Sequence, residues 1–139
     1  MNLITAQYAE FLQGYDWDYF ITQTFRRPRK EPYYALHSVW HTLKYHGAAR
    51  AFLACEPHKT GDLHIHGIMA GGGDGWLPHI DPMWDIWEDC HKKYGRNKVE
   101  LINTSAAVAG YCAKYVLKAQ NVVADHYEVF GDKIFWKRA

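Results

Sequence analysis

The sequence predicts an α+β fold, an antiparallel β-sheet with helices packed on it. Three observations carry this reading. Runs of aromatic and β-branched residues at strand length alternate with stretches whose apolar residues recur at helical spacing. The elements come in the order β-α-β-β-α-β-α-β(β), which suits a ferredoxin-like or RRM-like sheet with helices against it. The 139 residues, 48% hydrophobic and 22% charged, are enough for one core and fit a single domain, 1–139.

Taken in order, Tyr19–Phe25 (YFITQTF) reads as the first strand. Arg26–Glu31 follows as a basic loop containing Pro28. Pro32–His46 reads as a helix, because Tyr34, Leu36, Val39, Trp40, Leu43 and Tyr45 recur near helical spacing and Gly47 ends it. Arg50–Glu56 and Leu63–Ala70 are two strands around Pro57–Asp62. Asp81–Tyr94 is a second helix, with Asp81 as N-cap, Pro82 at its first position and Gly95 after its end. Lys98–Asn103 is a short strand. Thr104 or Ser105 caps a third helix that runs to about Ala119. Tyr127–Trp136 closes the chain as a hairpin around Gly131–Asp132.

Composition narrows the function classes. No apolar run approaches the roughly 20 residues that span a bilayer, and Met1–Glu10 lacks the pattern of a signal peptide. Cys55, Cys90 and Cys112 are odd in number and form no CxxC, which fits a reducing compartment. No GxxxxGK[ST] motif is present. The net charge is only +1, but the cations are clustered. Arg26, Arg27, Arg29 and Lys30 form one group, Lys92, Lys93, Arg96 and Lys98 a second, and Lys114 and Lys118 a third. Lys133, Lys137 and Arg138 make a fourth. Such groups are usually solvated surface, yet four of them on a near-neutral chain permit a local nucleic-acid groove.

His64-Ile65-His66 is a His-x-His on a predicted strand, so both imidazoles share a face. A three-residue hairpin loop Lys59-Thr60-Gly61, with Gly61 in the left-handed position, fixes the register. It places Glu56 opposite His64 and Ala54 opposite His66. One carboxylate and two imidazoles then converge beside a small residue. Such a set, with open positions and no thiolate, suits a divalent ion that polarises a phosphate better than a closed zinc site.

Val108–Lys118 reads VAGYCAKYVLK. On a helix advancing about 100° per residue, Tyr111, Lys114, Tyr115 and Lys118 share one sector while Val108, Cys112, Val116 and Leu117 face elsewhere. A plain surface stripe is the simplest account of such a helix taken alone. The chemical account is that a tyrosine hydroxyl attacks a phosphodiester. A phenol of pKa near 10 needs a cation or a polarised electrophile to do so, and a lysine three residues on can bind the phosphate or protonate the leaving oxygen.

Three motifs now stand in a familiar order. Phe20-Ile21-Thr22-Gln23-Thr24-Phe25, then Glu56 through His66 with its His-Ile-His, then Tyr111-Cys112-Ala113-Lys114-Tyr115-Val116-Leu117-Lys118 together resemble the HUH endonucleases. Over residues 17–120 the chain resembles the rolling-circle replication initiators (Rep proteins) of that superfamily, in the two-tyrosine form known from phages. The resemblance implies the HUH endonuclease fold, built on an RRM-like antiparallel sheet. It implies nicking and joining of single-stranded DNA at an origin hairpin through a 5′-phosphotyrosine. Tyr111 and Tyr115 would be nucleophiles, assisted by Lys114 and Lys118. Glu56, His64 and His66 would hold Mg2+ or Mn2+. Arg26, Arg27, Arg29 and Lys30 are expected to meet the DNA backbone.

Nothing here has the length of a motor domain, so either a separate helicase and polymerase are the expected partners or the chain is an excised nuclease domain. If it is phage- or plasmid-encoded, the expected location is the cytoplasm of a prokaryotic host. Two other readings are weighed. HUH transposases of similar length usually place Gln four residues after the tyrosine, where this chain has Tyr115. A non-catalytic RRM-like binder would stack bases on sheet aromatics such as Tyr19 or Phe25, and needs neither the Glu/His/His set nor paired tyrosines.

Overall fold

The computed structural model describes residues 14–27, 31–57, 63–71, 76, 81–102 and 126–131. Among them are five strands and two helices: β1 (Tyr19–Gln23), α1 (Pro32–Tyr45), β2 (Ala48–Pro57), β3 (Leu63–Gly71), α2 (Met83–Lys93), β4 (Asn97–Leu101) and β5 (His126–Gly131). The strands form one sheet in the order β4-β1-β3-β2-β5. Every neighbouring pair is antiparallel. The connection β1–α1–β2 steps over β3, and β3–α2–β4 steps over β1. That is the split βαβ arrangement of a ferredoxin-like sheet, with β5 added along the free edge of β2. The expected fold class is the one observed.

Side-chain alternation sorts the strands into two faces; burial follows it in β1, whereas Ala51–Cys55 of β2 and Gly67–Gly71 of β3 are buried on both faces. Tyr19, Ile21 and Gln23 of β1 are buried, as are Leu63, Ile65 and Met69 of β3 and Ala51, Leu53 and Cys55 of β2. Against this face α1 buries Ala35, Leu36, Val39, Thr42 and Leu43, and α2 buries Ile86 and Cys90. Gly67 allows the close approach of β2 and β3. A Cβ there would lie 2.4 Å from Leu53 Cδ2 and 2.6 Å from the Phe52 carbonyl oxygen. α1 ends where Gly47 takes φ 97°, a left-handed conformation that favours glycine.

Several boundaries differ from the sequence reading. α2 begins at Met83 with Pro82 as N-cap. Asp81, expected as the cap, stands one residue outside. Its carboxylate accepts the Met83 N–H at 3.0 Å and also the Tyr19 hydroxyl at 2.5 Å. The buried phenol draws the aspartate to the sheet. β1 stops at Gln23 rather than Phe25, because the next amides turn to the connection after α2: Thr24 N–H donates to Arg96 O and Arg26 N–H to Tyr94 O. β2 starts two residues early, at Ala48, with a bulge before Arg50. β4 covers Asn97–Leu101 instead of Lys98–Asn103. The expected third helix and the return strand of the terminal hairpin lie outside the described residues.

Candidate metal centre

β2 and β3 pair so that Glu56 faces His64 and Ala54 faces His66, the register that the hairpin turn predicts. The three side chains therefore emerge on the sheet face opposite α1 and α2. His64 Nε2 lies 3.7 Å from Glu56 Oε2, and His66 Nε2 lies 3.8 Å from the same oxygen. One potential ligand atom from each residue fits within 4.8 Å of the other two. The two rings meet edge to face, with centroids 4.6 Å apart. All three side chains are only partly exposed, at 13%, 16% and 20% for His64, His66 and Glu56, so the cluster is open to solvent on one side and framed by protein on the other.

Two imidazole nitrogens and one carboxylate oxygen are a donor set for a divalent cation with positions left for water or substrate oxygens. The geometry and the donor chemistry both fit such an ion. Thr22 adds a support to which the first-strand motif by itself assigns no role. It lies directly across from His66 in the β1–β3 ladder, and its Oγ1 is 3.4 Å from His66 Nδ1. With Nε2 directed at Glu56, Nδ1 is the nitrogen left to bond Thr22. The signal in the sequence is a threonine on the strand next to the His-x-His strand, but only the pairing shows which histidine it meets.

The basic groups converge at the same end of the sheet. Arg26 and Arg27 follow the last residue pairs of β1 and are exposed. With Lys92, Lys93 and Tyr94 they line a cleft of about 330 Å³. Arg26 Nη2 donates to the His91 carbonyl at 2.9 Å, satisfying one of the carbonyls at the C-terminus of α2. Lys92 pairs with Glu88 at 3.0 Å and Lys93 with Asp89 at 3.3 Å. The Lys92 hydrogen bond holds Glu88 below its ordinary carboxylate range. Burial pushes Asp89 upward, but hydrogen bonds from His46 and Lys93 together outweigh it and leave its carboxyl lowered. Lys98 lies across from Thr22 in the β1–β4 ladder, which puts a further cation two strands from His66, with Thr22 between them.

Of the residues singled out by sequence, Glu56, His64 and His66 are brought together, and Arg26 and Arg27 are placed at the cleft. Arg29, Lys30, Tyr111, Lys114, Tyr115 and Lys118 lie outside the described residues.

The profile of a family of replication-associated proteins, the ORF2 family, matches residues 18–120. No curated protein and no solved structure matches the chain. Among the described residues, no helix is long and apolar enough to cross a membrane.

Proposed function

The chain belongs to the ORF2 family of replication-associated proteins, and from that premise we propose that it is a Rep-type HUH endonuclease of the two-tyrosine type, which nicks and rejoins single-stranded DNA at a replication origin. One observation carries the reading: Glu56, His64 and His66 place an oxygen and two nitrogens within 4.8 Å of one another on one sheet face. A nucleic-acid binder that worked by stacking alone has no use for that set.

In this proposal Glu56, His64 and His66 hold Mg2+ or Mn2+. Such an ion, when bound, withdraws charge from a phosphate oxygen and makes the phosphorus a better electrophile. Thr22 keeps the His66 ring turned toward Glu56. The phenol oxygen of Tyr111 or Tyr115 attacks the phosphorus. A P–O bond forms to the tyrosine and the bond from phosphorus to the 3′ oxygen breaks. The phenol gives its proton to solvent water, and the departing 3′ oxygen takes one from the ammonium of Lys114 or Lys118, so that the proton count balances once the lysine is reprotonated by solvent. No water is consumed. The phosphodiester is kept as a 5′-phosphotyrosine, so a 3′-OH can reverse the reaction and rejoin the strand. The i, i+4 spacing of Tyr111 and Tyr115 would put both on one face of the helix that the sequence predicts, which would let one hold a 5′ end while the other cuts. Arg26, Arg27, Arg29 and Lys30 bind the strand through its phosphates. A separate helicase and polymerase would open the duplex and extend the 3′-OH.

The test is to incubate the chain with labelled single-stranded origin DNA and Mn2+ and look for an adduct that survives denaturant. Mass spectrometry should place the nucleotide on Tyr111 or Tyr115. A Tyr111→Phe/Tyr115→Phe variant that still forms the adduct would remove the tyrosines from the mechanism. Full cleavage by a His64→Ala/His66→Ala variant would remove the metal set.

A further inference from the structure

The outer surface of α2 is aromatic in a way that the fold does not require. The helix buries Ile86 and Cys90. Trp84, Trp87 and His91 lie on its other side and form a column. Trp84 and Trp87 stack with centroids 5.1 Å apart at 27°, and Trp87 and His91 stack at 5.1 Å and 16°. Trp84 is 65% exposed, and His91 is exposed as well. Stacked i, i+3 and i, i+4 pairs add only about 0.2–0.5 kcal/mol to a helix. Leaving a large indole in water forfeits more than that in burial. The column is therefore an exposed apolar surface suited to a flat partner.

Its position suggests the partner. The column runs toward the C-terminus of α2, where Lys92 and Lys93 join Arg26 and Arg27 in the cleft of about 330 Å³. Arg26 is anchored there by its bond to the carbonyl of His91, the last ring of the column. Flat rings that lead into a cationic cleft match a polymer with flat apolar bases and one negative charge per unit. Stacking on aromatic rings and tracking of phosphates by cations together hold single strands without regard to sequence. A protein partner would use the rings but has no need of the four cations at the end of the row, of which Lys92 and Lys93 would exchange their exposed pairs with Glu88 and Asp89 for phosphate.

We propose that the outer face of α2 is a second, sequence-independent site for single-stranded DNA, in which Trp84, Trp87 and His91 stack with bases while Lys92, Lys93, Arg26 and Arg27 carry the phosphates. The proposal rests on the nuclease reading for its choice of DNA. The face lies on the helix side of the sheet, away from Glu56, His64 and His66, so this site holds strand flanking the cut and not the scissile phosphate.

The experiment is a titration of labelled oligothymidine against the full chain, followed by anisotropy at several salt concentrations and without divalent ions. Trp84→Ala/Trp87→Ala should weaken binding by about five-fold or more per stacked base, with little change in salt dependence. Trp84→Phe/Trp87→Phe should restore much of the affinity, because a smaller ring still stacks. Lys92→Ala/Lys93→Ala should lower the slope of log affinity against log salt by about 0.7 for each phosphate that is no longer neutralised. Trp84→Ala alone, at a position 65% exposed, keeps the test valid should the double variant unfold. Unchanged oligothymidine affinity in the folded tryptophan variants overturns the proposal. So does a loss of self-association in those variants with DNA binding intact, which would make the column a protein interface. Because no cleavage is involved, weakened binding with no adduct on origin DNA would defeat the nuclease reading and spare this one, and the reverse pair of results would do the opposite.

Discussion

Thr22 Oγ1 lies 3.4 Å from His66 Nδ1, across the β1–β3 ladder that pairs the two residues. The bond fixes which nitrogen of His66 is left for Glu56. Partners of this kind, one step removed from the ion, are typically worth about 10–100-fold in metal affinity or activity. Thr22→Val keeps the shape and removes the oxygen. We expect a weaker Mn2+ affinity by about that factor, read by calorimetry, with the fold unchanged by circular dichroism. Equal affinity in the two proteins would make Thr22 a spectator.

Divalent ion should also stabilise the native chain. A ligand that binds only the folded state at about 100 times its Kd adds about 2.7 kcal/mol. Mn2+ should therefore raise the melting temperature of the wild type and leave that of His64→Ala/His66→Ala where it was. A shift of equal size in both would assign the ion to some other part of the chain.

Gly67 has no room for a methyl group, since the contact at 2.6 Å is with the backbone carbonyl of Phe52 and cannot rotate away. Gly67→Ala should cost about 3 kcal/mol through overpacking, measured as a lower urea midpoint. Because His66 and Ile68 flank this position, the variant should also lose metal affinity.

The cleft arginines should separate by salt. Arg27 is exposed, whereas Arg26 also closes α2 through His91 O. Arg27→Ala should reduce the salt slope of DNA binding by about 0.7 and leave thermal stability alone. Arg26→Ala should reduce both. Identical behaviour of the two variants in melting experiments would show that the bond to His91 contributes nothing.

Alkali should destabilise the protein through Cys90. Burial pushes its thiol up to about 12 from 9.0. In the unfolded chain the thiol ionises first, so the native state holds the extra proton between those values. Stability is then flat below about pH 9 and falls as pH rises toward 12, by up to about 1.4 kcal/mol per unit for a single group. The phenol of Tyr19, raised by burial and then by its bond to Asp81, acts in the same direction from a higher starting pH. Cys90→Ala should flatten the first part of the decline in urea titrations at about pH 8–11; an identical profile in the variant would rule out the thiol.

What the sequence reveals depends on how local the determining contact is. The β2–β3 register was legible because the three-residue turn expected from Gly61 sets a parity for everything beyond it, and the observed pairing of Glu56 with His64 has that parity. α1 was legible from its apolar repeat. The start of α2 was misread because Asp81 bonds Tyr19, a partner 62 residues away, and no local rule contains that contact. The cleft was invisible for the same reason, since it joins Arg26 and Arg27 to Lys92 and Lys93 only after the helices pack. β5 was legible as a strand, but its place on the edge of β2 is a long-range pairing. The tyrosine helix, read from its own spacing, lies outside the described residues.

The alternation of side chains along β2 and β3 makes the Glu56, His64 and His66 set a checksum on strand pairing. A slip of one residue between the two strands would send the carboxylate to one side of the sheet and the imidazoles to the other, and no chelate could form. Ion affinity thus reports registry as well as chemistry. On the proposed reading, a folding chain that captured a divalent ion at this set would by that act have rejected every hairpin of the wrong parity, and a preparation made without such ions would lose that filter.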